Sequence, residues 1–162
     1  MFSPALLALA EEVLCAARDK GLRIATAESC TGGLIAGLLT EIPGSSDVLE
    51  RGFVTYSNQA KEEMLGVPKA LLTKHGAVSE AVARAMAEGA VRRSGAQLAV
   101  AVTGIAGSGG GTAEKPVGLI HIAASREGRE TRHAEHRFGD IGRSAVRLKT
   151  VAAALTLLRK LI

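Results

Sequence analysis

The sequence predicts an α/β protein, a three-layer α/β/α sandwich built on a mixed β-sheet. Short apolar segments that suit buried strands alternate with segments whose apolar residues recur at helical spacing. Residues 98–103 are apolar without alternation, which is typical of a central strand covered on both faces. Two later segments flank Glu127 and Gly128 as an antiparallel pair, so the sheet should be mixed.

The first predicted helix begins at Ser3 and Pro4, because a serine hydroxyl can cap free N–H groups and proline already has a helical φ. This helix runs to about Lys20 and ends at Gly21. Residues 22–27 then form a short buried strand.

A second helix is predicted at residues 32–41, and a strand follows at 52–57. A polar helix at 58–65 comes next and ends at the break formed by residues 66–68. Four apolar side chains should share one face of the second helix, namely Leu34, Ile35, Leu38 and Leu39.

In the second half of the chain, Ser79 can cap a helix at residues 80–93, which precedes the central strand. A glycine-rich loop at 104–111 separates that strand from the predicted strands at 117–124 and 131–138. The helix should carry a buried stripe formed by Val82, Met86 and Ala90.

Asp140 is predicted to cap the last helix. No internal repeat and no linker interrupts the pattern, so we predict one domain over residues 1–162. The last helix should turn five side chains toward the core, which are Val146, Val151, Leu155, Leu158 and Leu161.

The composition restricts the class of partner. The 162 residues are 47% hydrophobic, enough to bury one core, but only 2% aromatic, so stacking platforms for single-stranded nucleic acid are essentially absent. The net charge of +4 comes from basic and acidic residues that are interleaved along most of the chain. We therefore expect a small-molecule ligand and no nucleic acid. Basic residues do accumulate in the C-terminal third, where they suit a small phosphate-bearing ligand: Arg126, Arg129, Arg132, Arg137, Arg143, Arg147 and Lys149.

Cysteine usage and hydropathy indicate the compartment. Cys15 and Cys30 make no disulfide framework, and no metal-ligand spacing is present. No basic leader precedes an apolar stretch, and no run approaches the roughly 18 apolar residues that a membrane span needs. We therefore expect a cytoplasmic protein that contacts no membrane and binds no metal.

The most informative segment is Thr26-Ala27-Glu28-Ser29-Cys30-Thr31-Gly32-Gly33, where an apolar strand gives way to a helix. A strand end holds a side chain rigidly, and the following helix start offers unpaired N–H groups to a phosphate or an oxyanion. Ser29 is therefore the first candidate nucleophile. Cys30 is an alternative that ranks below Ser29, because strand neighbours point in opposite directions and buried cysteine is common.

A serine nucleophile needs a base. The four histidines lie inside presumed strands or near a helix end and carry no specific pattern. Lys61 follows a second strand-to-helix junction, and two such junctions lie side by side when their strands are neighbours. A buried lysine can have its pKa lowered enough to accept the serine proton. A solvated surface lysine, which is what most lysines early in helices are, stays charged and cannot.

The glycine-rich loop lacks the Lys-Ser/Thr ending of a P-loop and does not open a helix within a βαβ unit. It is either a surface connection or a segment whose N–H groups approach a ligand closely. In the second case Thr103, at the end of the central strand, faces the same crevice.

Several motifs together resemble the C-terminal domain family of the competence/damage-inducible protein CinA. The resemblance covers nearly the whole chain and rests on these segments in this order: Thr26-Ala27-Glu28-Ser29-Cys30-Thr31-Gly32-Gly33, Gly44-Ser45-Ser46, Arg51-Gly52-Phe53-Val54-Thr55-Tyr56-Ser57-Asn58, Lys61, Leu65-Gly66-Val67, His75-Gly76-Ala77-Val78-Ser79 and Thr103-Gly104-Ile105-Ala106-Gly107.

The resemblance implies an amidohydrolase that converts nicotinamide mononucleotide to nicotinic acid mononucleotide and ammonia in pyridine nucleotide recycling, with no cofactor. On that basis Ser29 is the nucleophile, Lys61 the general base, and Tyr56 assists proton transfer or orients the lysine. The N–H groups of four residues are expected to hold the oxyanion: Cys30, Thr31, Gly32 and Gly33.

Substrate contacts are assigned in the same way, with Arg143 and Arg147 as phosphate ligands. Ser108 replaces a proline that is frequent in the family's loop, which should loosen the loop. The alternatives are a non-catalytic nucleotide-binding module and a competence or DNA-damage-related role. A homo-oligomer, with a dimer favoured, is expected. The remaining nucleotide contacts are expected from Asn58, Thr103, Gly104, Ala106 and Gly107.

Overall fold

Helices and strands alternate along most of the chain, and the computed structural model describes all of residues 1–162. The strands are β1 (Ile24–Glu28), β2 (Leu49–Val54), β3 (Leu98–Gly104), β4 (Leu119–Arg126) and β5 (Arg132–Arg137). The helices are α1 (Pro4–Asp19), α2 (Leu34–Thr40), α3 (Asn58–Leu65), α4 (Lys69–His75), α5 (Glu80–Arg92) and α6 (Arg143–Arg159).

The five strands form one sheet in the order β2-β1-β3-β4-β5. β1 is parallel to both of its neighbours, β2 and β3, whereas β4 and β5 are added in antiparallel orientation. All five residues of β1 are buried, as expected for a strand covered on both faces. The mixed sheet that the sequence predicts is therefore confirmed.

Each face of the sheet carries a layer of helices with its own hydrophobic cluster. α1, α2 and α6 pack on one face, and α3, α4 and α5 pack on the other. The predicted stripe on α5 and the five predicted core residues of the last helix are all buried, although Leu161 lies beyond the end of α6 at Arg159. No helix is both long enough and apolar enough to span a bilayer.

α3 lies close against α5 because Gly89 has no side chain. A Cβ atom at Gly89 would overlap the carbonyl oxygen of Leu65, the last residue of α3. A larger residue would therefore displace α3 from α5. This contact matters for the site, since α3 also carries Lys61.

Several predicted boundaries are wrong: β1, β4 and β5 differ by one or two residues at their ends from the predicted strands 22–27, 117–124 and 131–138, and larger differences occur elsewhere. The strand predicted at 52–57 is Leu49–Val54 instead, because Ser57 acts as the N-cap of α3 and its Oγ accepts a hydrogen bond from the N–H of Ala60 at 3.0 Å. Asp140 does not cap α6: the N-cap is Gly142, with φ 97°, and no side chain caps that end. The sequence analysis also predicted no helix at Lys69–His75, where α4 lies.

α2 is shorter than the predicted 32–41 and begins at Leu34. Gly32 and Gly33 adopt φ values of 60° and 101°, which lie outside the right-handed helical region. These two glycines complete the turn of residues 30–33, which connects Ser29 at the end of β1 to α2.

Candidate active site

The two strand-to-helix junctions singled out in the sequence lie side by side. Beyond the paired residues of β1 and β2, the N–H of Thr55 donates to the carbonyl of Glu28 at 2.9 Å. On the other side, the N–H of Ser29 donates to the carbonyl of Val102 in β3 at 3.1 Å. Ser29 is thus fixed by backbone hydrogen bonds at the carboxyl edge of the parallel part of the sheet, where α/β proteins bind ligands.

Lys61 reaches this edge from α3. Its Nζ lies 3.0 Å from Ser29 Oγ and donates to the carbonyl of Thr55 at 2.8 Å. The Lys61 side chain is not solvated, since the residue is only 1% exposed. No carboxylate is paired with it, so burial lowers the pKa of Lys61 below its ordinary value.

Cys30 is a weaker nucleophile than its position suggests. The residue packs into the hydrophobic cluster under α2 and α6, although it also touches the cleft described below. Burial raises the pKa of the Cys30 thiol to about 12. The thiol therefore stays protonated at neutral pH, and the thiolate is the reactive form of cysteine.

Glu28 organises the turn after β1, and the sequence analysis did not assign it a role. Its carboxylate is fully buried and accepts hydrogen bonds from the hydroxyls of Thr26 and Thr31 at 3.1 and 2.7 Å. It also accepts from the N–H groups of Ile35 and Ala36 at 2.9 and 3.0 Å. This carboxylate replaces the side-chain cap that Gly33 cannot provide, and its charge complements the helix N-terminus.

Glu28 and the turn leave particular N–H groups without acceptors. The N–H of Gly32 donates to the carbonyl of Ser29 at 3.1 Å, so it is not free to bind an oxyanion, contrary to the sequence-based expectation. The N–H groups of Cys30, Thr31 and Gly33 donate no hydrogen bond within the chain. The amide that follows a serine nucleophile is a common oxyanion donor, and Cys30 is the residue that follows the candidate nucleophile Ser29.

A cleft of about 200 Å³ opens above the Ser29–Lys61 pair. It contains no carboxylate, and the guanidinium of Arg143 gives it a positive charge that suits an anionic ligand. Ala77 and Val78 were not expected here; Thr103 Oγ1 donates to the Ala77 carbonyl at 2.9 Å and holds that segment in place. The cleft is lined by Ser29, Cys30, Tyr56, Asn58, Lys61, Ala77, Val78, Thr103, Gly104, Ala106 and Arg143.

Tyr56 lies at the rim of the cleft and is 63% exposed. Its hydroxyl accepts a hydrogen bond from Arg143 Nη2 at 3.1 Å, and Arg143 Nη1 donates to the carbonyl of Gly107. Tyr56 makes no hydrogen bond to Lys61. Arg143 therefore links Tyr56 to the glycine-rich loop.

Five of the expected site residues do not line the cleft: Thr31, Gly32, Gly33, Gly107 and Arg147. Among these, Arg147 lies behind the turn, where Nε donates to the carbonyl of Cys30 at 3.1 Å and Nη2 to that of Thr31 at 3.0 Å. Gly107 contributes its carbonyl to Arg143 rather than a wall of the cleft.

The histidines do not contact the Ser29–Lys61 pair. His121 Nδ1 and His133 Nε2 are 2.9 Å apart across the neighbouring strands β4 and β5, and the two rings stack. No group of three or more His, Cys, Asp or Glu side chains is arranged to hold a metal ion.

The fold and the site together define a class: a three-layer α/β/α sandwich with a buried serine–lysine pair at the carboxyl edge of its parallel strands. A family model described as the CinA C-terminal domain matches residues 6–162, and the chain belongs to this family.

Curated relatives support the same assignment. A CinA-like protein from Akkermansia muciniphila is 57% identical over 132 residues, which cover 82% of this chain and 32% of the relative. A CinA-like protein from Syntrophobacter fumaroxidans is 52% identical over 145 residues, 90% of this chain and 34% of the relative. The chain thus spans about a third of the length of these relatives.

Two solved structures match over almost their full length. A competence/damage inducible protein from Agrobacterium tumefaciens superposes with a TM-score of 0.98 at 55% identity, covering 99% of this chain and 98% of that one. A CinA superfamily protein from Escherichia coli gives a TM-score of 0.92 at 32% identity, covering 100% and 94%. The predicted fold is confirmed by both.

Proposed function

We propose that this protein is a serine–lysine amidohydrolase that converts nicotinamide mononucleotide to nicotinic acid mononucleotide and ammonia. The observation that carries the reaction type is the 3.0 Å contact between Lys61 Nζ and Ser29 Oγ in a buried setting. The substrate assignment rests on the activity that the family resemblance implies and on the positive charge that Arg143 gives the cleft.

The two contacts of Lys61 suit a neutral amine. The carbonyl of Thr55 has no proton, so Nζ must donate to it, which an amine does with one of its two N–H bonds. The lone pair of the amine remains available for the Ser29 hydroxyl proton. Since burial lowers the pKa of Lys61, more of the enzyme holds the amine in this form at a given pH.

In the proposed reaction, Lys61 accepts the Ser29 proton while Ser29 Oγ attacks the carboxamide carbon. The negative charge that develops on the carboxamide oxygen is held by the free N–H groups of Cys30 and Thr31, whereas that of Gly33 lies further along the turn. The Lys61 ammonium then protonates the departing nitrogen, which leaves as ammonia. Water hydrolyses the acyl-enzyme, with Lys61 again acting as the base, and restores the Ser29 hydroxyl.

The nucleotide would occupy the rest of the cleft. Asn58 and Thr103 flank the serine–lysine pair, and Gly104 and Ala106 let the substrate approach the loop backbone. Arg143 is the basic side chain of the cleft that is remote from the reacting atoms, so we assign it to the substrate's phosphate. Tyr56 orients Arg143 through their hydrogen bond.

Ammonia release from nicotinamide mononucleotide by the purified protein tests this proposal. Ser29→Ala and Lys61→Met should each abolish release without loss of the folded state, whereas Lys74→Met, a change at an exposed lysine of α4, should not affect it. Undiminished turnover by Ser29→Ala would refute the mechanism. Tight binding of the mononucleotide by the wild type without any ammonia release would instead favour the non-catalytic nucleotide-binding module.

A further inference from the structure

Arg147 binds the turn that follows Ser29 from behind. The side chain extends from α6, and its guanidinium donates to two successive carbonyls, those of Cys30 and Thr31. It packs against Gly32, where a Cβ atom would lie 3.4 Å from Arg147 Nη2. The residue does not line the cleft.

These hydrogen bonds fix the direction of the peptide N–H groups. In a trans peptide the carbonyl and the following N–H point in opposite directions. Because the Cys30 carbonyl is bound to Arg147, the N–H of Thr31 points away from Arg147. The preceding peptide is held independently, since the Ser29 carbonyl accepts from Gly32 and so fixes the direction of the free Cys30 N–H.

The Arg147 guanidinium also makes the Thr31 N–H a stronger hydrogen-bond donor. Charge-assisted hydrogen bonds to a carbonyl polarise the peptide unit and make its N–H a stronger donor. Lysine could not reproduce the arrangement, because a single ammonium lacks the planar pair of donors that reach two carbonyls at once.

We propose that Arg147 is a positioning residue for the oxyanion-binding amide of Thr31, and that it does not bind the substrate's phosphate. This inference rests on the proposed amidase function. Arg143 lies one helical turn earlier on α6 but reaches into the cleft, and it retains the phosphate role. The two arginines therefore act on different parts of the reaction.

Two substrates separate the two roles: nicotinamide mononucleotide and nicotinamide riboside, which lacks the phosphate. Arg147→Gln should lower kcat on both substrates by the same factor, about 10- to 100-fold, since loss of one well-placed oxyanion donor costs roughly 100-fold or more. Arg143→Gln should raise KM for the mononucleotide alone. A loss in Arg147→Gln that is confined to KM for the mononucleotide, or no loss at all, would overturn the inference.

A second measurement does not depend on the substrate's identity. A fluorophosphonate forms a bond from phosphorus to Ser29 Oγ as fluoride leaves and Lys61 takes the proton, and its phosphoryl oxygen occupies the oxyanion position. Arg147→Gln should slow this modification, followed by intact mass, at least tenfold. Arg159→Gln, a change on the same helix at a surface arginine paired with Glu12, should leave the rate unchanged.

The outcomes distinguish the two proposals. Wild-type protein that is modified at Ser29 but does not turn over the mononucleotide would refute the proposed substrate and still measure the effect of Arg147. Wild-type protein that is neither modified nor active would refute both. If Arg147→Gln melts below the assay temperature, Arg147→Lys decides the matter: we expect slower modification than in the wild type, and an equal rate would overturn the inference.

Discussion

Lys61 Nζ and Ser29 Oγ are 3.0 Å apart although 32 residues separate them in the chain. The contact exists because β1 and β2 are parallel neighbours, so that the segments following both strands meet at one edge of the sheet. Both residues are buried at the base of the cleft, with Lys61 1% and Ser29 9% exposed. Four predictions test what this environment does to the lysine, its neighbours and the packing behind them.

The first prediction concerns the pH dependence of activity. The proposed reaction needs neutral Lys61, and burial lowers the pKa of this amine below the ordinary lysine value of 10.5. We expect kcat/KM to rise with pH and to level off above a single apparent pKa that lies below 10.5. A profile whose ascending limb is centred at the ordinary lysine value would contradict the assignment of Lys61 as the base.

The second prediction concerns stability. The unfolded chain holds a proton on Lys61 at pH values where the native protein has lost it, so stability contributed through this group rises with pH between the two pKa values. Below that window the native state must bury an unpaired ammonium. Lys61→Met removes this cost. Its free energy of unfolding at neutral pH should therefore exceed that of the wild type by about 1 kcal/mol, a gain that single stabilising substitutions commonly give.

Chemical denaturation of wild type and Lys61→Met at several pH values measures this effect. The difference between the two proteins should shrink as the pH rises toward 10.5, the ordinary lysine value. A variant that is less stable than the wild type at neutral pH would show that the buried amine stabilises the fold. Lys74→Met serves as the control for loss of an exposed charge.

The third prediction separates the two cysteines. Cys15 is exposed, whereas Cys30 is buried and its thiol has a pKa raised to about 12. Iodoacetamide at neutral pH should therefore alkylate Cys15 and leave Cys30 unmodified, because the thiolate is the reacting species. Peptide mass spectrometry locates the adduct. We expect the alkylated protein to keep its full amidase activity. Rapid labelling of Cys30 would contradict the prediction and make Cys30 a candidate nucleophile again.

The fourth prediction concerns the contact between α3 and α5. Gly89→Ala places a methyl group against the carbonyl of Leu65 and should destabilise the protein by roughly 1–3 kcal/mol through overpacking. Because Lys61 lies on the same helix as Leu65, activity should fall more steeply than stability alone explains. Gly95→Ala is the matched control, since no atom lies within 4 Å of a Cβ at that position. Equal stability of the two variants would contradict the prediction.

Local signals were sufficient for several elements. α3 has the bounds 58–65 that the sequence predicts, because Ser57 caps its start and Gly66, with φ 68°, ends it. The strand predicted at 52–57 lies three residues too late, because β2 is Leu49–Val54. Periodicity alone does not show whether Ser57 ends a strand or caps the next helix. Asp140 is not the cap, because Gly142, with φ 97°, delays the start of the helix until Arg143.

The site was predictable to the extent that it depends on strand ends. Ser29 and Lys61 follow two strands, and parallel pairing brings them together. The contribution of Glu28 was not predictable from spacing, because its carboxylate folds back onto N–H groups seven and eight residues later. The position of Arg147 was also not predictable, since it depends on how α6 packs over α2. The homo-oligomeric state stays a prediction.

The hydrogen bond from Arg147 to the Cys30 carbonyl joins residues that are 117 positions apart. While a ribosome is still extending the chain, the segment around Ser29 emerges long before the helix that anchors it. The turn proposed to hold the oxyanion therefore lacks this anchor until α6 has been synthesised and has packed over α2.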